Sequence, residues 1–93
     1  LSVLDVGCCG GLMAEALACE GAKVTAIDAS AAAIKVAQDH AAQGGLAIDY
    51  RESTAEALVQ EGKSYDVIVA FEIVEHVANL KSFIKTLAAL LKP

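Results

Sequence analysis

The stretch "VLDVGCCGG", residues 3–11, decides how this chain is expected to fold. An apolar run that contains an acidic residue, Asp5, passes into a turn that carries Gly7, Gly10 and Gly11. A buried strand that enters a glycine-rich turn and then a helix lets the backbone approach a bound phosphate, nucleotide or related ligand closely. We therefore expect a ligand-binding unit of strand, turn and helix at the start of the chain.

Short apolar runs alternate with helical patterns along the rest of the chain. This alternation is typical of βαβ units around a parallel sheet. The pattern predicts strands at residues 2–6, 23–28, 46–51 and 65–71, the last one buried on both faces. It predicts helices at residues 12–19, from Ser30 to about residue 43, and at 55–60. A final helix is predicted from one apolar stripe, which comprises Leu80, Phe83, Ile84, Leu87 and Leu91.

Composition limits the classes of protein to which the chain can belong. Hydrophobic residues make up 56%, which suits a packed core, and no apolar run approaches the roughly 20 residues of a membrane span. The net charge of −5 argues against a nucleic-acid partner, because binding to phosphates depends on clustered Lys and Arg. We expect residues 1–93 to form one domain core, an excerpt of a longer polypeptide, because the sequence opens inside a strand pattern.

The cysteines indicate a reducing compartment. Cys8, Cys9 and Cys19 do not form the even, spaced set of a secreted disulfide scaffold, so we expect free thiols. Cys19 is expected to pack within the first helix, and His40 to lie on an exposed helix face. A vicinal cysteine pair also lacks the spacing of a zinc site.

Two common glycine-rich turns do not fit residues 7–12. A phosphate-binding Walker loop needs a Gly-Lys-Ser/Thr ending, and no lysine occurs before Lys23. The dinucleotide pattern G-x-G-x-x-G, started at Gly7, needs glycines where the chain has Cys9 and Leu12. The pattern acid-x-G-x-G-x-G fits better, since only Cys9 departs from it.

That last pattern is typical of the class I S-adenosylmethionine-dependent methyltransferases, and the chain resembles them over essentially its whole length. The motifs "GCCGG" (7–11), "EGAKVTAID" (20–28) and "EIVEHV" (72–77) look most like those of the ubiquinone-biosynthesis O-methyltransferases. The resemblance implies a Rossmann-like α/β core, a parallel sheet flanked by helices with strand order 3-2-1-4. It also implies methyl transfer from S-adenosylmethionine to a phenolic oxygen of a polyprenylated catechol-like quinone precursor.

The resemblance also assigns residues to the cofactor. Gly7 and its neighbours would let the backbone pass close to the methionine part, and Gly7 can take a positive φ. Asp28 follows Gly7 by 21 positions, about the spacing at which such folds place an acid for ribose hydroxyls. The plainer alternatives are a turn that needs small residues for packing and a solvated acid at a strand end. The residues expected to contact the cofactor are Asp5, Gly7, Cys8, Gly10, Asp28, Ala29, Thr54, Ala55 and Phe71.

Cys9 departs from the family pattern. At a positive φ its side chain would strain the backbone by about 1 kcal/mol and crowd the cofactor. In an ordinary backbone region it fits as a small apolar residue. We favour the interpretation that the turn accommodates the Cys9 side chain. The alternative is a non-catalytic methyltransferase-like domain with impaired cofactor binding, and a nicotinamide- or nucleotide-binding Rossmann module or a methyltransferase of another small acceptor also stays open.

A second motif, E-x-x-E-H, comprises Glu72, Glu75 and His76. On one helical turn these side chains share a face, at the sheet edge where open α/β folds bind ligands. The resemblance supports their role as catalytic residues and ligands of Mg²⁺, Mn²⁺ or Zn²⁺, which would lower the pKa of a catechol hydroxyl. A solvated acidic helix start is the alternative.

The resemblance also bears on where the protein works. A greasy acceptor implies contact with a membrane surface through regions outside these residues. We therefore expect a cytoplasmic protein at the inner face of a bacterial membrane, or a mitochondrial matrix protein in a eukaryote.

Overall fold

The computed structural model describes residues 1–7, 11–70 and 79–93, in which strands and helices alternate. The elements are β1 (Ser2–Val6), α1 (Leu12–Cys19), β2 (Lys23–Asp28), α2 (Ala31–Gln43), β3 (Asp49–Glu52), α3 (Ala55–Gln60), β4 (Val67–Val69) and α4 (Leu80–Leu90). In these ranges no helix is long and apolar enough to cross a membrane. The order of the elements confirms the predicted alternation.

The four strands form one parallel sheet in the order β3-β2-β1-β4. This confirms the predicted strand order 3-2-1-4. Its register places Asp5 of β1 between Ala26 of β2 and Val69 of β4, and Ala26 lies next to Tyr50 of β3. The chain first builds outward from β1 to β3 and then returns to the other side of β1, which is the topology that opens a ligand crevice at the carboxyl edge of a sheet.

Apolar side chains cover both faces of the sheet. On one face, Leu4 and Ile27 pack with Leu58 of α3 and Leu90 of α4, and all four are fully buried. Burial of each of these side chains contributes roughly 1.5–3 kcal/mol. The other face carries mostly small residues, with Tyr50 of β3 as the one aromatic ring of the cluster. The residues around it come from α1, α2 and β2, namely Ala14, Val24, Ala26, Ile34, Ala37 and Ala41. The alanine-rich composition thus leaves room for a tyrosine under α1 and α2.

Short polar residues begin three of the helices. Ser30, Thr54 and Asn79 each accept a hydrogen bond from the backbone N–H three residues further on, at 3.0–3.2 Å. Such caps satisfy one of the unpaired N–H groups at a helix start. The predicted cap at Ser30 is confirmed. In α1 the N-cap is Gly11, which has a left-handed conformation with φ 87°.

Two predicted strands differ from the structure. β3 begins at Asp49 instead of residue 46, because Leu46 and Ile48 pack against the α1 and α2 side of the core without pairing in the sheet. The prediction that the fourth strand is buried on both faces is wrong for its described part, since Val67 is 39% exposed. The reason is that β4 is the outer strand in the sheet order of the described residues.

The helical faces differ from the prediction at four positions. In α4, Phe83 and Leu90 are buried and Leu87 packs against them, whereas Leu80 and Ile84 are 46% and 55% exposed. Leu91 is exposed because the helix ends at Leu90 and the chain continues in an extended conformation. Cys19 is also exposed, since it lies in the last turn of α1 away from the sheet.

Candidate functional site

A cleft of about 210 Å³ opens at the carboxyl ends of β1 and β2. Five residues that the sequence assigns to the cofactor line it together, namely Gly7, Asp28, Ala29, Thr54 and Ala55. They come from three separate segments that meet at this edge because the strands are parallel. The carboxyl edge of an open α/β sheet is where such folds bind ligands.

Gly7 forms the start of the turn that follows β1. Its N–H donates to the carbonyl of Ile27 at 2.9 Å, which ties the turn to β2, and its φ is 73°. A side chain at this φ would strain the backbone, so glycine is favoured here by the backbone conformation. Gly7 thus uses the conformational freedom that the sequence analysis noted for glycine in this turn.

Asp28 is the last residue of β2 and lines the cleft together with Thr54 and Ala55, which follow β3 in the sequence. One of its carboxylate oxygens, Oδ1, accepts a hydrogen bond from the N–H of Ser30 at 2.9 Å. The Asp28 carbonyl accepts from the N–H of Ser53 at 3.1 Å, which joins the walls contributed by β2 and β3. Asp28 is therefore an oriented acceptor at the cleft, suited to hydroxyl donors of a ligand.

Thr54 and Ala55 form the start of α3. The Thr54 hydroxyl accepts from the N–H of Ala57 at 3.2 Å, so it is engaged in the helix cap. Ala55 is 3% exposed and belongs to the core cluster beneath the cleft. This pair therefore contributes a largely apolar wall, as a flat aromatic ligand group would need.

Phe83 of α4 also lines the cleft, and the sequence analysis did not assign it to the site. Its helical spacing marks it as a core residue, and it is indeed 8% exposed. The rest of the described lining was not assigned to the site from the sequence either, namely Val6, Ile27, Ser53 and Glu56. No local pattern marks Phe83, Ser53 and Glu56 as site residues, since their place depends on how α3 and α4 pack against the sheet.

Asp5 is the one buried charged side chain among the described residues, at 3% exposed. Within those residues its Oδ2 atom has no hydrogen-bond partner. Burial, and to a smaller extent the charge of Asp28, raises the pKa of Asp5 to about 6. Asp5 does not line the cleft, although the next two residues, Val6 and Gly7, do. Its predicted contact with the cofactor therefore stays a prediction.

The groups at this edge fit the expected cofactor. Asp28 offers hydrogen-bond acceptors for ribose hydroxyls, and the apolar start of α3 offers a surface for adenine. The carboxyl group of Asp28 at the cleft favours a ligand that carries positive charge, as a sulfonium and an ammonium group do. The described part of the site is therefore compatible with S-adenosylmethionine.

The remaining predicted site residues lie outside the described residues. These are Cys8, Gly10, Phe71, Glu72, Glu75 and His76, and the unusual Cys9 lies there too. Their roles stay predictions. In residues 1–7, 11–70 and 79–93 no group of three or more His, Cys, Asp or Glu side chains could hold a metal ion.

Comparison with known families and sequences gives consistent matches. The family described as "Methyltransferase domain" matches residues 4–93. The ubiquinone biosynthesis O-methyltransferase of Bartonella tribocorum is 52% identical over 93 residues, covering all of this chain and 38% of that protein. The proteins of the same name from Methylobacterium nodulans and Caulobacter vibrioides are 47% and 52% identical, with 37% of each covered. The chain thus spans less than two fifths of the curated relatives it matches.

Solved structures share the fold. A structure solved for the conversion of a disulfide bond into a thioacetal group during echinomycin biosynthesis superposes with a TM-score of 0.90 at 28% identity, covering 99% of this chain and 40% of that one. The plantazolicin methyltransferase BpumL, solved with a substrate analogue and S-adenosylhomocysteine, gives 0.84 at 26% identity, covering 99% and 35%. The YcgJ protein from Bacillus subtilis gives 0.87 at 25% identity, covering 98% and 39%.

Proposed function

We propose that the protein containing this chain, which belongs to the family of methyltransferase domains, is an S-adenosylmethionine-dependent O-methyltransferase. It would methylate a phenolic oxygen of a polyprenylated catechol-like precursor in ubiquinone biosynthesis and release S-adenosylhomocysteine. The observation that carries the proposal is that five residues predicted to contact the cofactor line one cleft. The acceptor is supported by relatives of that name that are 44–52% identical over the whole chain.

The described residues would hold and orient the cofactor. Asp28 would accept from ribose hydroxyls, the turn that begins at Gly7 would approach the methionine part, and Thr54 with Ala55 would lie along the adenine. When bound, S-adenosylmethionine supplies a methyl group already activated by a sulfonium sulfur. The protein's contribution is then mainly to hold the acceptor oxygen in line with the methyl carbon and sulfur.

Ionisation of the acceptor phenol is the second requirement. We propose Glu72, Glu75 and His76 as the catalytic residues and as ligands of Mg²⁺, Mn²⁺ or Zn²⁺, on the basis of their sequence spacing and of the family resemblance. A divalent ion held there would lower the pKa of a phenolic hydroxyl. The hydrophobic polyprenyl chain of the proposed acceptor supports a location at the inner face of a bacterial membrane, or in the matrix of a mitochondrion.

Calorimetric titration of S-adenosylhomocysteine into the full-length protein tests the cofactor assignment. We expect saturable binding that Asp28→Asn weakens by about tenfold or more, because acceptor bonds from a charged group contribute roughly 1.5–3 kcal/mol. Asparagine keeps an oxygen that can accept from the N–H of Ser30. Asp49→Asn is the matched control, since Asp49 begins β3 at the opposite edge of the sheet.

The other outcomes separate the alternatives. A folded protein that does not bind S-adenosylhomocysteine would overturn the enzymatic proposal, and recovery of binding in Cys9→Gly would identify a non-catalytic domain blocked at that position. If binding occurs, incubation with S-adenosylmethionine and a polyprenylated catechol should release S-adenosylhomocysteine. Loss of that product on removal of divalent ions would support the metal site, and turnover only with unrelated acceptors would redirect the substrate assignment.

A further inference from the structure

Tyr50 lies at the β3 end of a row of side chains that crosses the sheet to β1. In the register of the parallel strands, Tyr50 of β3 is next to Ala26 of β2, and Ala26 is next to Asp5 of β1. Neighbours in register project from the same face of a sheet. Because Ala26 is small and fully buried, the space above it is available to the larger ring from the adjacent strand.

The ring of Tyr50 reaches the far end of the turn. A Cβ atom placed on Gly11 would lie 2.5 Å from the Tyr50 hydroxyl oxygen and 3.3 Å from its Cζ atom, and 3.0 Å from the Cβ of Ala37. Real Cβ atoms essentially never come within 3.0 Å of another heavy atom in this way. The hydroxyl of Tyr50 is therefore packed directly against the backbone of Gly11, where α1 begins.

The two described ends of the turn are thus held by different strands. Gly7 is tied to β2 by its hydrogen bond to the carbonyl of Ile27, at 2.9 Å. Gly11 rests on the hydroxyl end of the ring that β3 supplies. Tyr50 is 7% exposed and does not line the cleft, so its influence on a bound ligand would act through the turn.

We propose that Tyr50 is a positioning residue for the cofactor, in that contact between its hydroxyl end and Gly11 sets the position of Gly11 at the start of α1. This inference rests on the proposed function, since it assumes that the segment from Gly7 to Gly11 binds S-adenosylmethionine. Removal of the hydroxyl leaves a gap of about one atom under Gly11, which lets Gly11 shift from the position that the cofactor needs. A merely structural tyrosine would affect stability and leave the affinity of folded protein unchanged.

The test is a double-substitution cycle in the full-length protein, read by calorimetric titration with S-adenosylhomocysteine. Tyr50→Phe is expected to weaken binding about fivefold, and Gly11→Ala to weaken it more, since its Cβ meets the hydroxyl. The double variant Gly11→Ala/Tyr50→Phe is expected to bind at least threefold tighter than Gly11→Ala alone, because the new methyl occupies the space that the oxygen has left. This change of sign distinguishes positioning from general destabilisation, whose effects would add.

Tyr65→Phe is the matched control. Tyr65 is equally buried, at 7% exposed, but belongs to the core cluster on the other face of the sheet. Its substitution should leave the dissociation constant within twofold of wild type. If Gly11→Ala does not fold, recovery of folding and binding in the double variant shows that the Tyr50 hydroxyl caused the defect. The comparison of the affinities of Tyr50→Phe and Tyr65→Phe then still tests the role of Tyr50.

Two failures can be told apart. Wild-type binding with no effect of Tyr50→Phe, or with a double variant no better than Gly11→Ala, overturns the role of Tyr50 and leaves the proposed function in place. A folded wild-type protein that does not bind S-adenosylhomocysteine overturns the proposed function and with it any role of Tyr50 toward the cofactor. In that case melting temperatures of the same four proteins still report whether the contact between Tyr50 and Gly11 exists.

Discussion

Replacement of Asp5 by asparagine tests the buried carboxyl group in the middle of the sheet. Burial, with a smaller contribution from Asp28, raises the pKa of Asp5 from 3.8 to about 6 in the folded protein. Below pH 3.8 the carboxyl is protonated in both the folded and the unfolded chain. Between these two pH values the unfolded chain loses its proton first, so the free energy of unfolding falls as the pH rises.

The size of this effect follows from the pKa change. At about 1.4 kcal/mol per pH unit, the full loss of stability is about 3 kcal/mol and is complete above pH 6. About 2 kcal/mol of it falls between pH 4.5 and pH 7.5, a range in which unfolding can be measured. Asparagine carries no charge, so the Asp5→Asn protein should gain about this much relative to wild type as the pH is raised over that range.

Urea unfolding of the full-length wild-type and Asp5→Asn proteins at several pH values measures the difference. The absolute stability of the variant also contains the cost of a buried amide, but that cost does not change with pH. Asp39→Asn, on the exposed face of α2, is the control and should differ from wild type by no more than about 0.5 kcal/mol. A difference between Asp5→Asn and wild type that stays constant from pH 4.5 to 7.5 would show that burial does not raise the pKa of Asp5.

Two local features, the positive φ of Gly11 and the Thr54 cap of α3, also predict measurable losses of stability on substitution. Gly11→Ala is expected to lower the free energy of unfolding by roughly 3 kcal/mol, because the new Cβ meets Tyr50 and because φ is positive. Gly21→Ala has a similar φ but nothing within 4 Å, so it should lose only about 1 kcal/mol, and equal losses in urea unfolding would contradict the steric argument. Thr54→Ala should lose about 1 kcal/mol through the missing cap on α3. Thr54→Ser keeps a capping hydroxyl and should lose much less; if both variants lose the same amount, the cap is not the cause.

Much of the fold could be predicted from local sequence, because hydrophobic periodicity and capping residues act over a few positions. The bounds of α1 and β2 and the cap at Ser30 follow from such patterns. Errors arose where burial depends on neighbours that are distant in sequence. Val67 is exposed because its strand is the outer one of the described sheet, and Ile84 because α4 turns a different stripe toward α3.

Some residues of the candidate site could likewise be predicted from local sequence, and others could not. Gly7 and Asp28 could be assigned to the cleft from the sequence, because the spacing of a glycine turn and of an acid at the end of the next strand is a local property of βαβ units. Phe83 could not be assigned, since helical periodicity identifies a buried residue without saying what it is buried against. That distinction requires the packing of α4 on the sheet.

Local sequence predicted the order of strands and helices and the place of the glycine turn, since each depends on residues close together along the chain. The contact of Tyr50 with Gly11 and the proximity of Asp5 to Asp28 became apparent only in the folded structure. Both depend on strand pairing, which brings residues from separate βα units close together. The pKa of Asp5 is near 6 because folding buries its carboxyl group, and desolvation is a property of the assembled core and not of any single segment.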